Sequence, residues 1–309
     1  MKLIKRPYQN EDDYWRIRNF LRDVFLLNDR QELSWHVARL DYLRWHFIRN
    51  SLIDAPFEKL TSIWETAGGQ IAAVLHPFDM GEAFLHVHPG QRTPELEKEM
   101  VAIAERDFCL RTRDGQRKLY LLVDESDTQR QDILVDRGWA KRGAPIHRWW
   151  RDLDAPLPDA PLPAGYTVRS MGDVDEFPAR SWASWRAFHP DEPDDQYEGW
   201  DWLINLQSAP LYRRDLDIVA AVSEGEIAAF CTIWFDDVTR SAVCVLVGTA
   251  AGHQRRGLGK AVMYEGLRRL KSMGGTRAFA NAYDPPAEAL YGSVLGAKAE
   301  SQSWVKVLD

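Results

Sequence analysis

The chain has 309 residues, of which 45% are hydrophobic and 28% charged, and its formal net charge is −7. This composition is typical of a globular protein, and the length predicts about two domains. The acidic balance argues against nucleic acid as a partner, because no domain-wide excess of basic residues exists. Cys109, Cys231 and Cys244 are too widely spaced for a metal pattern or a disulfide framework, which favours a reducing compartment.

The sequence carries no signal for export or for membrane insertion. The charged residues after Met1 are not followed by an apolar run, as they would be in a signal peptide. No stretch approaches the ~18 apolar residues that a membrane-spanning helix needs. We therefore expect a cytoplasmic protein with no membrane partner.

The first half of the chain is predicted to mix strands with amphipathic helices. Strands are expected at residues 2–7, 62–66, 71–75, 83–87 and 119–123. Helices are expected at residues 11–28, 34–50, 94–110 and 128–136, with Ser34 as the N-cap of the second.

Residues 152–165 contain four prolines and are predicted to form an extended, semi-rigid linker. This predicts a first domain at residues 1–151 and a second at residues 166–309. In the second domain, strands are expected at residues 166–169, 217–223, 226–234, 240–249 and 277–282, and helices at residues 174–188, 196–207, 257–273 and from 286 onward.

A local repeat relates the two halves. Gly69-Gln70-Ile71-Ala72-Ala73 and Gly225-Glu226-Ile227-Ala228-Ala229 both place a turn before an Ile-Ala-Ala strand start, 156 residues apart. An offset of about half the chain predicts two copies of one fold.

The segment from Val243 to Lys260 is the most informative stretch. It reads as an apolar strand, a loop and the start of a helix at Leu258. Backbone N–H groups at a helix start attract anions, and Gly257 and Gly259 let a ligand approach that backbone. Arg255, Arg256 and Lys260 add positive charge, so the sequence predicts a diphosphate site here.

Two common phosphate motifs do not fit this loop. A P-loop needs Lys where Leu258 stands, and a dinucleotide fingerprint needs Gly where Val262 stands. The order Gln254-x-x-Gly257-x-Gly259 instead resembles the acetyl-CoA pyrophosphate loop of the GNAT family of N-acetyltransferases.

A second segment carries the same resemblance. Residues 284–291, Asp-Pro-Pro-Ala-Glu-Ala-Leu-Tyr, resemble the family's Asn-x-x-Ala-x-x-Leu-Tyr, with Asp284 in the Asn place. Leu295-Gly296-Ala297 stands for the Leu-Gly-Phe that follows, with one extra residue after Tyr291. Both motifs lie in register on a strand–loop–helix–strand–helix pattern.

The resemblance implies an α/β fold of two tandem GNAT-like domains, each a mixed, mostly antiparallel sheet flanked by helices. It implies acetyl-CoA as cosubstrate and Tyr291 as the acid that protonates the departing thiolate. No metal is implied. The backbone of Val247 and Thr249 would hold the pantetheine arm, and amides from Gln254 to Gly259 the pyrophosphate. The residues that it implies for cofactor binding are Val247, Thr249, Gln254, Arg255, Arg256, Gly257, Leu258, Gly259, Lys260 and Asp284.

The first half resembles the same fold without its site. Val87-His88-Pro89 is similar to the Val-x-Pro that precedes the family's loop. Counting on from it, the two glycine places fall on Glu95 and Glu97, whose carboxylates would repel a pyrophosphate. The tyrosine place falls on Leu134. The first domain is therefore expected to have lost cofactor binding.

One departure affects the chemistry. Relatives commonly carry a Glu where Val245 stands, and valine cannot accept a proton from an attacking amine. Other candidate bases are Asp236, Asp237, His189, Asp191 and Glu192. Alternatively, the amine arrives deprotonated or the activity is weak.

Three functions remain open at this point. The first is acetyl transfer to a small-molecule amine or a peptide, by direct attack of the amine in a ternary complex. The second is a non-catalytic acetyl-CoA-binding sensor or scaffold, which Val245 motivates. The third is a structural tandem that binds another protein. The sequence predicts neither the acceptor nor the oligomeric state.

Overall fold

The computed structural model describes residues 3–222 and 225–308, which form two compact units. Unit 1 takes in the described residues of 1–40, 51–147 and 299–309, and unit 2 those of 41–50 and 148–298. The units thus differ from a simple cut at the proline-rich segment, because each contains a segment from the other half of the chain.

The secondary structure follows the chain as thirteen strands and nine α-helices in the described residues. The strands are β1 (Ile4–Pro7), β2 (Ser62–Glu65), β3 (Ile71–Pro77), β4 (Glu82–Val87), β5 (Leu110–Arg111), β6 (Arg117–Asp124), β7 (Ala140–Asp152), β8 (Tyr166–Ser170), β9 (Asp217–Val222), β10 (Ile227–Asp236), β11 (Ser241–Thr249), β12 (Arg277–Ala282) and β13 (Ala297–Leu308). The helices are α1 (Glu11–Leu27), α2 (Val37–Tyr42), α3 (Phe57–Leu60), α4 (Pro94–Asp107), α5 (Thr128–Asp136), α6 (Phe177–Phe188), α7 (Trp202–Gln207), α8 (Leu258–Ser272) and α9 (Pro285–Val294).

Unit 1 contains a mixed sheet. Antiparallel pairs join β1 to β2, β2 to β3 and β3 to β4, and a parallel pair joins β4 to β6. Ser301 to Leu308 of β13 add an antiparallel neighbour to β6. One face of the sheet packs against α4, whose Met100, Val101 and Ala104 are buried in the core of the unit. Burying such side chains is the main source of folding free energy.

Unit 2 repeats the same order of strand directions. Antiparallel pairs join β8 to β9, β9 to β10 and β10 to β11, and a parallel pair joins β11 to β12. Alternate residues of β10, Cys231, Ile233 and Phe235, pack on α8 in one core, whereas Phe230 faces a second core with α6. The expected fold class, a mixed and mostly antiparallel sheet flanked by helices, is therefore confirmed.

The proline-rich segment packs on unit 2 and has no regular structure. Leu157 and Leu162 contact the core beneath α8, and the Lys271 Nζ donates to the carbonyls of Asp154 and Ala155, at 3.0 and 2.9 Å. Several local contacts thus fix its path.

Two helix predictions were wrong in their extent. Instead of one helix over 34–50 capped by Ser34, α2 begins at Val37 and is followed by a π-helical segment at Leu43–Ile48. The carboxylate of Glu32 accepts from the His36 N–H at 3.0 Å, ahead of the helix start. The helix predicted at 196–207 begins only at Trp202, because Gly199 adopts a left-handed conformation with φ +94°.

Other predicted boundaries agree with the structure to within a few residues, but β5, β7, β13 and the short helix α3 were not predicted. Lys2 and Ser223, which the sequence placed at the ends of two strands, lie outside the described residues. In the described part of the chain, no helix is both long and apolar enough to cross a bilayer.

Candidate functional site

The strands β11 and β12 pair over a short distance and then separate. Their parallel ladder joins Ser241–Val243 to Arg277–Phe279 and goes no further among the described residues. The register against β10 also shifts there, and Leu246 adopts φ +65°, as in a bulge. Residues 245–249 are half-buried, so this strand edge offers backbone polar groups to a groove.

The loop after β11 presents a run of free backbone donors. In the described part of unit 2, none of the six consecutive N–H groups from Arg255 to Lys260 has a hydrogen-bond partner. Gly257 is the N-cap of α8, with φ +82° and no side-chain cap. Such a concave run of amides at a helix N-terminus binds anions, because the amide hydrogens converge and the helix dipole adds positive charge.

The charged side chains beside this run of amides also favour an anionic ligand. Arg255 and Lys260 are exposed and have no acidic partner among the described residues. Arg256 is held in place instead, because it donates to the Tyr166 hydroxyl at 2.9 Å and to the Gly252 carbonyl at 3.3 Å. The Gln254 side chain donates to the carbonyl of Thr249 at 3.2 Å, which fixes the loop to the end of β11.

A chain of hydrogen bonds that could not be predicted from the sequence connects the loop to the sheet. His253 Nδ1 lies 2.8 Å from the Tyr166 hydroxyl, and its Nε2 lies 2.9 Å from Glu226 Oε1. Tyr166 and Glu226 lie on or beside β8 and β10, so the sheet positions the loop through these contacts. The partners are 87 and 27 residues from His253 in the chain. Such separations leave no local sequence signal.

The second glycine lies where three elements meet. A Cβ atom on Gly259 would lie 3.3 Å from Leu290 Cδ2 and 3.6 Å from Thr249 Oγ1. The start of α8, the end of β11 and helix α9 therefore converge at this point. Leu258, between the two glycines, is buried in the core and anchors the first turn of α8.

Tyr291 on α9 is a buried phenol, with 8% of its surface exposed. Its hydroxyl has no hydrogen-bond partner among the described residues. Burial raises the pKa of Tyr291, and the nearby thiols of Cys231 and Cys244 and the carboxylate of Asp284 add to the effect. Because Cys244 is the first residue of β11 beyond the ladder with β12, Tyr291 lies close to the place where these strands separate.

Asp284 has a structural role in this fold. Its carboxylate accepts from the Ala287 N–H at 2.7 Å and is the N-cap of α9. This cap orients the helix that carries Tyr291. The direct cofactor contact suggested for Asp284 stays a prediction.

The five candidate bases fall into three groups. Asp236 is buried and accepts from the N–H and hydroxyl of Thr239, so it closes a turn. Asp237 and Asp191 are exposed. His189 and Glu192 form a pair in which His189 Nδ1 lies 2.8 Å from the carboxylate, and the imidazole stacks on Trp185 at 4.1 Å. A histidine oriented by a carboxylate is a common form of general base.

The equivalent helix start in unit 1 is closed. Thr93 is the N-cap of α4, and its hydroxyl accepts from the Leu96 N–H at 3.2 Å. Glu97, in the first turn, is 0% exposed and accepts from Arg92 at 2.7 Å and from Arg130 at 2.8 Å. Arg92 also pairs with Asp127. A buried carboxylate paired with two arginines thus lies in the first turn of this helix.

The position in unit 1 that corresponds to Tyr291 also lacks the polar group found in unit 2. Leu134 on α5 is fully buried in the core of unit 1 and carries no polar group. Glu95 is exposed, so only one of the two acidic residues at the glycine places is part of the ion-pair network.

We expect Glu97→Gln to destabilise unit 1 by about 3–5 kcal/mol, because it leaves two arginines close to a neutral group in a buried site. Glu95→Gln removes an exposed charge from the same helix turn and should change stability by less than about 0.5 kcal/mol. Urea unfolding of both variants measures the difference. Equal effects of the two substitutions would contradict the role of Glu97.

Comparisons with known proteins agree with this geometry. Residues 175–297 match the acetyltransferase (GNAT) family. A tandem GNAT protein from the clavulanic acid biosynthesis pathway has 16% identity and a TM-score of 0.66, covering 99% of this chain and 98% of its own. A GCN5-related N-acetyltransferase from Sphaerobacter thermophilus has 18% identity and a TM-score of 0.63, covering 99% and 95%.

A GNAT-family acetyltransferase from Colwellia psychrerythraea is similar in fold, with 11% identity and a TM-score of 0.58 over 99% of this chain and 100% of its own. No curated protein matches the sequence at a significant level. At these identities the structural likeness concerns the fold alone, and the family assignment rests on the match over residues 175–297. Residues 175–297 therefore form a domain of the acetyltransferase (GNAT) family, and nearly the whole chain has a fold similar to that of a tandem GNAT protein.

Proposed function

We propose that this protein is an N-acetyltransferase that transfers an acetyl group from acetyl-CoA to an amine. The observation that carries the proposal is the run of six backbone N–H groups at residues 255–260 that find no acceptor in the described part of the chain. The GNAT-family domain at residues 175–297 supports acyl transfer in general. The donor, the amine acceptor and the residue roles below are part of the proposal.

The loop is suited to the pyrophosphate of a coenzyme A thioester. The free amides supply directed donors, and the exposed Arg255 and Lys260, which form no ion pair with another described residue, supply charge. Gly257 and Gly259 keep side chains away from the approaching phosphates, and nothing lies within 4 Å of a Cβ placed on Gly257.

The separated edge of β11 would hold the rest of the donor. Backbone groups of Val247 and Thr249 lie on the half-buried stretch that leads from the loop to the place where β11 and β12 part. Acetyl-CoA would supply an acetyl group activated as a thioester. A β-strand edge can bind the amides of an extended pantetheine arm as it would bind another strand.

Transfer needs a proton donor on one side and a proton acceptor on the other. The lone pair of a neutral amine attacks the thioester carbonyl, the carbon–sulfur bond breaks, and the sulfur leaves as a thiolate. Tyr291, like any phenol, is protonated at neutral pH and would donate that proton to the sulfur. Burial raises its pKa and makes it a weaker acid, so the transfer has to be direct and local. The attacking nitrogen loses one proton, for which the His189–Glu192 pair is the candidate acceptor.

A second function is favoured by one specific observation. Val245 stands where relatives carry a Glu, so the acetyl-CoA site could serve a non-catalytic sensor or scaffold. Incubation with acetyl-CoA and a panel of amines separates the two, with thiol release as the readout. Acetyl-CoA binding without turnover of any amine supports the sensor.

The pyrophosphate assignment predicts the effect of a charge at Gly259. Gly259→Glu should weaken acetyl-CoA binding by at least about 100-fold. The added carboxylate would repel the pyrophosphate, and the pyrophosphate would lose hydrogen bonds from the backbone amides of the loop. Gly252→Glu adds the same charge outside the run of free amides, and should change affinity by less than about threefold in physiological salt. Calorimetry gives both affinities. Unchanged binding by Gly259→Glu would remove the basis for the site.

If Tyr291 is the general acid, removing its hydroxyl should lower kcat without weakening acetyl-CoA binding. Tyr291→Phe keeps the buried ring, and should lower kcat by ~10²–10⁴-fold while acetyl-CoA affinity stays the same. Tyr264→Phe is the matched control, since the Tyr264 hydroxyl donates to the Ser293 carbonyl on the far end of α9. A fall in kcat of less than about threefold would make Tyr291 a core residue only. Weaker acetyl-CoA binding would make its hydroxyl a cofactor contact.

A further inference from the structure

The loop before α8 has a backbone conformation that needs support from outside the loop. Arg255 adopts φ +63° and Gly257 adopts φ +82°, so two left-handed residues flank Arg256. The left-handed region is unfavourable for a residue that carries a Cβ atom, such as Arg255. The backbone N–H groups of residues 255–260 find no acceptor in the described part of the chain, so they do not stabilise this conformation. Contacts made by side chains must therefore hold it.

A chain of hydrogen bonds, the Tyr166–His253–Glu226 relay, connects this loop to the sheet of unit 2. The Tyr166 hydroxyl lies 2.9 Å from Arg256 Nη1 and 2.8 Å from His253 Nδ1. The other imidazole nitrogen, His253 Nε2, lies 2.9 Å from Glu226 Oε1. Tyr166 is the first residue of β8, and Glu226 directly precedes β10. Two residues of the loop are thus connected to two strands.

The chemistry of the four groups determines the direction of each hydrogen bond. A guanidinium can only donate, so the Tyr166 oxygen accepts from Arg256. A carboxylate accepts, so His253 Nε2 carries a hydrogen and donates it to Glu226. In a neutral imidazole the other nitrogen has no hydrogen, so His253 Nδ1 accepts from the Tyr166 hydroxyl. Every donor in the chain therefore has one acceptor, and the Tyr166 hydroxyl serves as both.

The relay has a rigid foundation. The Tyr166 ring packs against the core of unit 2, which fixes the position of its hydroxyl. The His253 side chain is only 16% exposed, so water competes weakly for its hydrogen bonds. Arg256 Nη2 also donates to the Gly252 carbonyl at 3.3 Å. The residue between the two left-handed positions is therefore bound both to the sheet and to the start of the loop.

A loop that is held in one conformation before its ligand arrives binds that ligand more tightly. Less conformational entropy is lost on binding when the loop is already ordered. If only a fraction of the molecules had the binding conformation, the apparent affinity would fall by that fraction. The relay therefore bears on how tightly residues 255–260 can bind an anion.

We propose that Tyr166 and His253 are positioning residues for the acetyl donor. They hold residues 255–260 in the conformation that binds the pyrophosphate of acetyl-CoA, and they act through the loop rather than by contacting the donor. This proposal deepens the proposed acetyltransferase function and rests on it. Tyr166 lies 90 residues before Arg256 in the chain and outside the Gln-x-x-Gly-x-Gly pattern, so no motif assigns it this role.

Removing one hydroxyl tests the relay. Tyr166→Phe keeps the ring on the core but abolishes two hydrogen bonds of the loop, so acetyl-CoA affinity should fall by about threefold to tenfold. Tyr264→Phe is the matched control, because it removes a phenol hydroxyl of α8 that donates to the Ser293 carbonyl instead. The control should leave the affinity unchanged. Calorimetry on the full-length protein gives the affinities.

Two fragments of the donor separate positioning of the loop from general damage to unit 2. Inorganic pyrophosphate carries only the group that the loop is proposed to bind, and S-acetylpantetheine carries only the thioester arm. Each fragment competes with acetyl-CoA in a calorimetric titration. Tyr166→Phe should weaken the binding of pyrophosphate by the same factor of about three to ten. It should leave the binding of S-acetylpantetheine unchanged.

A pair of substitutions at His253 gives a second, independent measurement. His253→Ala removes both hydrogen bonds of the imidazole and should weaken acetyl-CoA and pyrophosphate as Tyr166→Phe does. His253→Gln retains one donor and one acceptor in a single side chain, so it can still connect Tyr166 to Glu226. The glutamine variant should therefore recover most of the affinity that the alanine variant loses.

Three results would overturn the positioning proposal. They are unchanged acetyl-CoA affinity in Tyr166→Phe and His253→Ala, equal losses for pyrophosphate and S-acetylpantetheine, or equal affinities of the two histidine variants. Each of them leaves the proposed function intact as long as the unaltered protein binds acetyl-CoA. Failure of the unaltered protein to bind acetyl-CoA would instead contradict the proposed function. If Tyr166→Phe does not fold, the two histidine variants and the fragments still decide.

Discussion

Backbone amides that are buried or clustered need a hydrogen-bond acceptor, and the candidate site depends on this constraint. Six N–H groups at residues 255–260 point out of the loop and the first turn of α8 with no acceptor supplied by the described protein. A fold tolerates this arrangement where water or an anion completes it. The Tyr166–His253–Glu226 relay, the Gln254 contact to Thr249 and the buried Leu258 all hold the loop in this open form.

In unit 1, which has the same topology, side chains of the protein itself contact the corresponding helix start. Its strands follow the order of directions found in unit 2, yet its helix start has a side-chain cap at Thr93 and a buried carboxylate at Glu97. Arg92 and Arg130 are bound by that carboxylate and by Asp127, rather than left free for a phosphate. In unit 1 the ion pairs of Glu97 and Asp127 with Arg92 and Arg130 occupy this region, and removing one partner of such a buried pair is costly.

The local parts of this picture could be predicted from the sequence. Gly257 and Gly259 have steric reasons to be glycine, and the periodicity of α8 and the strand alternation of β10 are strong local signals. Of the carboxylates at the two glycine places in unit 1, only Glu97 is in the ion-pair network, and the loss of cofactor binding there stays a prediction. The predicted starts of the helices at Ser34 and Gln196 were wrong, because side-chain contacts and the left-handed conformation of a glycine overrode the hydrophobic pattern.

The parts that depend on distant contacts could not be predicted. Nothing in residues 41–50 indicates that they join unit 2, since Asn50 and Asn205 are 155 residues apart. The same is true of β13, whose Ser301–Leu308 pair with β6 of unit 1 although they end the other half of the chain. The assignment of residues 41–50 to unit 2 and of residues 299–309 to unit 1 therefore depends on distant contacts that leave no local pattern.

We expect unit 2 to bind an anion at residues 255–260, and the corresponding helix start in unit 1, where Glu97 is buried, to bind none. The most direct measurement is the stoichiometry of acetyl-CoA binding to the full-length protein by calorimetry. One molecule of acetyl-CoA should bind per chain. Two molecules per chain, or none, would contradict this expectation.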